Sequence, residues 1–381
     1  MTAQSEIDNL YQASKTLAKS QALRVRIWQR LFACGFYYSG LAKKFYFKSV
    51  EQQQTPWRIL RYQHVVVSED YPIQLEYHQY VHPKTFEENI RFLRDNFKIV
   101  PLKSLLDDVE AGKQIDPLTV CITIDKGWAD TYSYAFPILY TYRVPATIFV
   151  APAFIGSTEL FWEEHVKLIM NALRNSNASF PKLTSLSRMF YEDLMQFSPN
   201  LEITDDAIAL FIFLLTQAPL DKRQAVYLEF LDFAKAFGEL PKIEPYISWK
   251  EAYEMQNSGL ITFGSHGFSH KSLFELSREE LADDVRMGFL KLREQNINFH
   301  QVLAIPDDTY TSSLITMLGD FGLRYAMSYF SEVDIDPRKH GTLLFGRVSV
   351  FENIANCKEI FACRILGNQD SQVRYIRRVS K

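Results

Sequence analysis

The chain has 381 residues, 47% hydrophobic and 23% charged, a balance typical of a folded protein with one large or two medium domains and not of a disordered one. Eight basic residues and no acidic ones lie between Asn9 and Val50, which leaves 34 basic and 45 acidic residues elsewhere. The globular part is therefore acidic, and nucleic acid is excluded as an expected partner.

The basic segment within residues 1–55 is predicted to be helical. Leu23, Ile27 and Leu31 recur at helical spacing, with arginines flanking the stripe. Two interpretations stay open: a helix packed on the domain, or an interfacial helix lying on anionic lipid with aromatic anchors. The region has no stretch of roughly 20 apolar residues that would span a bilayer, and its polar, acidic start is unlike a secretory signal. We expect a cytoplasmic protein with peripheral contact to the inner membrane.

The four cysteines have no close paired spacing. They are Cys34, Cys121, Cys357 and Cys363, and Cys121 lies within an apolar run that reads as a strand. This pattern favours free buried thiols in a reducing compartment over a disulfide framework.

Short apolar segments with strand character alternate with helical patterns after a linker at 51–56. The alternation is typical of a parallel barrel or a doubly wound sheet. Ser277 begins one helical pattern with Glu280 three residues later, which is a capping box. Between Gly156 and Pro245 the alternation stops and the pattern is helical. We therefore predict an α/β domain over 56–365, either a barrel or a doubly wound sheet, with a helical insertion at about 157–245 and a basic tail at 366–381. The predicted strands are 58–66, 119–125, 145–152, 260–266, 301–306, 323–330 and 343–351.

One strand, in the stretch TVCITIDKGWADTY (119–132), ends in charged residues. Val120, Ile122 and Ile124 are β-branched, and Gly127 breaks the pattern. Parallel α/β folds present catalytic groups at such strand ends. Asp125 and Lys126 are therefore candidate functional residues.

A second candidate stretch is FGSHGFSHKSL (263–273), at the end of another apolar run. His266 and His270 are four residues apart, and on a turn of helix both imidazoles would lie on one side. This is metal-ligand spacing, with Ser265 and Ser269 as candidate hydrogen-bond partners of the ligands. Taken alone, the pattern favours two surface or core histidines at a loop, because it arises easily by chance.

The order of these motifs resembles that of the NodB-type polysaccharide deacetylases, carbohydrate esterase family 4. TIDKG is similar to the first family motif, T-F-D-D-G, and HGFSH to the second, H-[ST]-x-x-H. RYQHV (61–65) resembles the opening Y-H-x-V strand with one inserted glutamine. AIPDDTY (304–310) and FGRVSV (345–350) stand where the family carries its third motif and its late P-R strand. The collinear set is more specific than any single motif.

The resemblance implies a distorted, incomplete (β/α)7-type barrel with its site at the C-terminal ends of the strands. It implies hydrolysis of N-acetyl or O-acetyl groups on a bacterial surface glycan or its precursor, in exopolysaccharide biosynthesis. A divalent metal, zinc by expectation, would polarise the acyl carbonyl and activate water. The residue roles it implies are Asp125, Asp307 and Tyr310 as catalytic, His266 and His270 as metal ligands, and Trp128 and Arg347 as substrate-binding.

Lys126 departs from the family pattern, because it stands where the metal-binding aspartate belongs. An ammonium within a few ångströms of a divalent ion costs several kcal/mol even with strong screening. Asp307 and Asp308 also replace the usual aromatic and glycine residues of the third motif. With these residues the site is therefore expected to bind metal poorly, or to have no cofactor at all.

Three functions follow as hypotheses. The first is a deacetylase whose activity is reduced or lost through Lys126. The second is a non-catalytic carbohydrate-binding or scaffolding member of a polysaccharide-assembly system at the membrane. A third is a different barrel hydrolase that uses Asp307 and Asp308 as an acid/base pair.

Overall fold

A computed structural model describes most of the chain between residues 31 and 366. The N-terminal residues 1–30 and the tail from residue 367 lie outside the described part, as do Asp307 and Asp308. The described residues are 31–44, 47, 57–68, 71, 73, 75, 79–176, 180, 181, 183, 202–235, 243–306, 310–328 and 341–366.

A parallel sheet that curves into a nearly closed barrel organises the molecule. Its strands follow the order β11-β1-β5-β6-β7-β8-β9-β10, and the short strand β4 pairs with β5 beside this path. A separate two-stranded sheet joins β2 and β3. The strands are β1 (Arg58–Tyr62), β2 (His64–Val65), β3 (Tyr80–Val81), β4 (Lys98–Ile99), β5 (Thr119–Lys126), β6 (Ala146–Val150), β7 (Ile261–Ser265), β8 (Phe299–Ala304), β9 (Tyr325–Ser328), β10 (Leu343–Gly346) and β11 (Val348–Ser349).

Helices follow most of the barrel strands and cover the sheet from outside. A π-helical turn (Thr131–Ala135) and a 3₁₀ turn (Leu273–Glu275) add to them. The α-helices are α1 (Pro83–Asn96), α2 (Leu102–Glu110), α3 (Phe136–Tyr142), α4 (Trp162–Asn175), α5 (Asp205–Gln217), α6 (Leu220–Lys235), α7 (Trp249–Asn257), α8 (Arg278–Glu294), α9 (Ser312–Asp320), α10 (Glu352–Ala355) and α11 (Lys358–Ile365).

The predicted barrel class is confirmed, and each of the seven predicted strands overlaps an observed one. The last predicted strand splits into β10 and β11, which pair with β9 and β1, so one residue between them joins the two ends of the sheet. That residue is Arg347. Ser277 caps α8 with the predicted capping box, since its side chain accepts from Glu280 N–H and Glu280 accepts in return.

The central strands are buried on both faces, as parallel sheets in α/β proteins require. The stretch predicted as an insertion contributes α4, α5 and α6, which pack their apolar faces together. Their shared core includes Ile169, Phe211 and Phe230. This small core is separate from the one under the barrel, so the insertion is a structural unit seated on one side of it.

Residues 31–38 and 41–44 are helical and pack against α11. Ala33 and Ala42 are buried against Ile360 in that contact, whereas Phe32 and Tyr38 are about 70% exposed. Among the described residues no helix is long and apolar enough to cross a membrane. All four cysteines are free, as predicted.

Candidate functional site

Three neighbouring strands end in one row at the C-terminal edge of the barrel. Lys126 is in register with Val150, and Val150 with Ser265, so His266 follows directly beside this row. Gly127 continues β5 with φ +67°, and a Cβ there would lie 2.7 Å from Val150 Cγ1. Glycine is therefore required for the chain to turn tightly above the neighbouring strand.

Asp125 is fully buried and held by two arginines. Arg347 donates from Nη1 to Oδ1 at 2.6 Å and from Nη2 to Oδ2 at 2.9 Å, while Arg61 donates from Nε to Oδ2 at 2.5 Å. Although burial alone would raise the pKa of Asp125, the charges of Arg347 and Arg61 hold it well below its ordinary value. The group is thus fixed as a carboxylate.

Lys126 lies in an aromatic corner. Its backbone has φ +76°, which is uncommon for a residue with a side chain. Its Nζ lies 5.7 Å from the centroid of the Trp128 ring and 5.2 Å from that of Phe161. Both distances fall within the range of cation–π attraction, so the two rings hold the ammonium over this end of the site.

His266 and His270 lie together, with ring centroids 4.8 Å apart. The prediction that a helical turn aligns them is wrong, because the residues after β7 form a loop. Positive φ angles at Gly267 (+73°) and His270 (+52°) fold this loop back and bring the second imidazole beside the first.

Asp284 on α8 holds the histidine loop in place, a role that the sequence analysis missed. Its carboxylate accepts from Phe268 N–H at 2.9 Å and from Ser269 N–H at 3.0 Å. Ser269 Oγ donates to the same carboxylate at 2.6 Å. Ser269 therefore supports the loop through Asp284 and does not hydrogen-bond an imidazole directly.

Both imidazoles are neutral near pH 7. Burial lowers the pKa of His266 to about 4, against the opposing effect of the Asp125 carboxylate. Burial also lowers the pKa of His270 well below its ordinary value, and the Lys126 charge lowers it further. His266 Nδ1 lies 2.7 Å from the carbonyl oxygen of Ala304, which fixes the proton on Nδ1 and leaves Nε2 as an acceptor. His270 Nε2 is buried without a hydrogen-bond partner.

A third histidine, His64, belongs to the same region and was not predicted as a site residue. Its Nδ1 lies 2.6 Å from Asp130 Oδ2, and its ring stacks on Trp128 with centroids 4.4 Å apart. The sequence signal that could have identified it was a histidine within RYQHV, a stretch that resembles the opening strand of the family. Arg61 offered a similar one, as a charged residue within a buried strand.

The remaining predicted site residues are Trp128, Arg347, Tyr310 and Asp307. Trp128 is buried, and it forms a wall behind Lys126. Arg347 is also buried, and its contact with Asp125 holds that carboxylate in position. Tyr310 is half-buried and packs against the apolar cluster around Leu314, under α8 and α9. Asp307 lies outside the described residues, and so does its neighbour Asp308.

The donor set does not fit the divalent metal that the resembled family implies. Two neutral imidazoles face an ammonium, and the nearby carboxylate of Asp125 is already bound by two guanidinium groups. Within the part of the chain that the structure describes, no group of three or more histidine, cysteine, aspartate or glutamate side chains could hold a metal ion. A catalytic zinc needs three such ligands beside an open position.

Comparison with known proteins agrees with the motif order. The family model for polysaccharide deacetylases matches residues 207–326. Over that range the chain is similar to the polysaccharide deacetylases. The matched range contains His266 and His270, whereas Asp125 and Lys126 lie outside it. YxkH of Bacillus subtilis strain 168, provisionally described as a polysaccharide deacetylase, is 33% identical over 85 residues, which are 22% of this chain and 30% of that relative's length.

Several solved structures are similar at low identity. IcaB from Ammonifex degensii is 16% identical with a TM-score of 0.48, over 81% of this chain and 97% of that one. The Streptococcus pyogenes deacetylase PplD, solved in complex with acetate, is 13% identical with a TM-score of 0.49, over 81% and 97% of the two chains.

Proposed function

We propose that this deacetylase relative recognises an N-acetylated glycan at the barrel mouth and has lost metal-dependent hydrolysis. The observation that carries the proposal is the position of Lys126. Its ammonium lies between Trp128 and Phe161 and its charge acts on His270. In the sequence, Lys126 stands at the motif position where the resembled family carries a metal-binding aspartate. A fixed cation there repels a divalent ion and attracts an electron-rich oxygen.

The same groups suit an acetamido substituent. Lys126 Nζ would donate to the acyl carbonyl oxygen, and His266 Nε2 would accept from the amide N–H. His270 Nε2, buried without a partner, is also available for a hydrogen bond to the sugar. An unsatisfied buried polar atom is costly, so a ligand that pairs with it gains affinity.

Metal and glycan binding by the native chain and two variants would test the proposal. Native protein is expected to contain no stoichiometric zinc and to bind chitooligosaccharides with an affinity that EDTA does not change. Lys126→Met should weaken that binding about tenfold or more, the effect of losing a charge-assisted hydrogen bond. Lys126→Asp should gain zinc affinity, since it restores an anionic third ligand.

Lys250→Met is the matched control, because Lys250 is well exposed on α7 and outside the site. Elemental analysis, zinc calorimetry and acetate release would be measured on all four proteins. Stoichiometric zinc together with acetate release in the native chain would contradict the proposal and support the hydrolytic function instead.

The N-terminal helix is proposed to contact anionic membrane. Leu31, Phe32, Tyr38 and Leu41 are exposed on it, and basic residues accompany them in the sequence. Apolar side chains beside cations favour binding to an anionic bilayer surface. Co-sedimentation with vesicles of anionic and of neutral lipid would test this, and equal or absent binding to both would leave only a packed helix.

A further inference from the structure

A cavity of about 680 Å³ lies between the helical insertion and the loop that follows β7. Helix α6 forms one wall, and the residues from Ser269 to Leu276 form the opposite wall. His270 lines the cavity, which therefore reaches the imidazole pair at that residue. Its volume is in the range of small-molecule sites.

The lining is mainly apolar and aromatic. Five aromatic side chains contribute to it: Phe154, Phe161, Trp162, Tyr227 and Phe274. Phe161 also stacks on His270 with ring centroids 4.0 Å apart, which joins the apolar lining to the imidazole pair without a polar break. Phe274 is 56% exposed, so this side chain marks an apolar mouth.

Four charged side chains line the cavity, those of Glu163, Arg223, Lys271 and Glu275, and two of them compensate each other. Arg223 forms an ion pair with Glu275, and its guanidinium lies 5.3 Å from the centroid of the Trp162 ring. A phosphate or nucleotide would have to compete with Glu275 for Arg223 and bury its charge among aromatic rings, which is costly. The chemistry of the cavity therefore favours an uncharged, apolar ligand.

We propose that this cavity binds a linear aliphatic chain that is joined to the sugar held at Lys126 and the imidazole pair. The sugar end of this inference rests on the proposed function, whereas the chain end rests on the cavity alone. Two sources share this chemistry: a long acyl substituent on the sugar amine, or a lipid aglycone. Either would make the ligand an amphiphilic sugar and not a plain polysaccharide.

Calorimetric titration of the full chain with six probes would test the inference. They are N-acetylglucosamine, butyl and octyl N-acetylglucosaminide, N-butanoylglucosamine and N-octanoylglucosamine, and 1-octanol. At least one octyl sugar should bind ten-fold tighter or more than N-acetylglucosamine, and affinity should rise about four-fold per added methylene until the cavity is filled. Tighter binding of the octyl glycoside identifies an aglycone, and tighter binding of the N-octanoyl sugar identifies an acyl substituent.

Leu220→Asp places a charge in the cavity wall and should abolish the dependence on chain length. Leu228→Asp is its control on the same helix, because Leu228 is 61% exposed and does not line the cavity. Octyl sugars that bind no tighter than N-acetylglucosamine, or a chain-length dependence that survives Leu220→Asp in a protein with native circular dichroism, would overturn the inference. Binding of 1-octanol that Leu220→Asp removes, without any sugar binding, would uphold the cavity and contradict the proposed function.

Discussion

The site has two halves, and they differ in the contacts that hold them. The histidine half runs from His266 to His270, and the β5 half runs from Asp125 to Trp128. In the histidine half the imidazoles stand side by side and the loop is fastened to α8 by Asp284. In the β5 half two arginines bind the Asp125 carboxylate, and two aromatic rings hold the Lys126 ammonium.

The difference shows that the shape of a site and its charge are maintained by separate contacts. The histidine loop depends on hydrogen bonds to Asp284 and on positive φ angles, none of which needs a metal. The electrostatics of the β5 half depend on two arginines and Lys126. A change at Lys126 can therefore alter the charge of the site and leave the imidazoles where they are.

The largest effect is expected at the arginine pair of the β5 half. Arg347→Met keeps much of the side-chain volume but leaves the buried Asp125 with Arg61 alone. Removing one partner of a buried ion pair costs about 3–5 kcal/mol, so urea denaturation should show a loss of that size in the free energy of unfolding. Arg278→Met, at an exposed pair with Asp320, should change it by about 0.5 kcal/mol or less. Equal losses in the two variants would mean that Arg61 alone compensates Asp125.

The pH dependence of stability is expected to come strongly from the histidine half. Between pH 6.5 and about 4 the unfolded chain binds a proton at His266 that the folded chain does not, because burial lowers the folded pKa to about 4. As the pH falls through this window, the free energy of unfolding should therefore decrease by about 3 kcal/mol because of His266. Above and below the window, this contribution should not change with pH.

Denaturation curves of His266→Gln across the same pH window would isolate this contribution. The variant should lose most of the 3 kcal/mol dependence, whereas His300→Gln should lose less, since His300 is only half-buried. The prediction is wrong if both substitutions flatten the profile equally.

The stability of the β5 half should also depend on its backbone turn at Gly127. Gly127→Ala forces a Cβ into the left-handed region and against Val150, and about 2–3 kcal/mol of stability should be lost. Gly112→Ala is matched in φ, at +64°, but has no atom within 4 Å of the added Cβ. It should cost about 1 kcal/mol less. A similar loss at both positions would show that Val150 moves aside.

Sequence reasoning reached the barrel and the positions of Asp125, His266 and His270, because apolar strands and motif order are local signals. It missed Asp284, since the hydrogen bonds to Phe268 and Ser269 connect residues about fifteen positions apart. It also missed the pairing of Arg61 with Asp125, which depends on β1 lying beside β5. These contacts are set by tertiary packing, which no local pattern in the chain records.

The smallest effect on stability, and the sharpest test of the histidine half, is expected at Asp284. Asp284→Ala removes the acceptor of three hydrogen bonds. Because Asp284 is only half-buried, water can replace some of these hydrogen bonds in the variant. We expect a loss of about 1–2 kcal/mol. Asp283→Ala, at the exposed neighbouring position paired with Arg286, should be nearly neutral.

Asp284 should also act on the imidazoles through the loop, and zinc calorimetry can measure this in the Lys126→Asp background. If the loop positions His270, adding Asp284→Ala should lower zinc affinity about ten-fold or more, as loss of the contacts that orient metal ligands does. Adding Asp283→Ala instead should leave the affinity unchanged. Unchanged zinc affinity in the Asp284 double variant, with the expected loss of stability, would mean that β7 and the contact of His266 with Ala304 hold the imidazoles without help from α8.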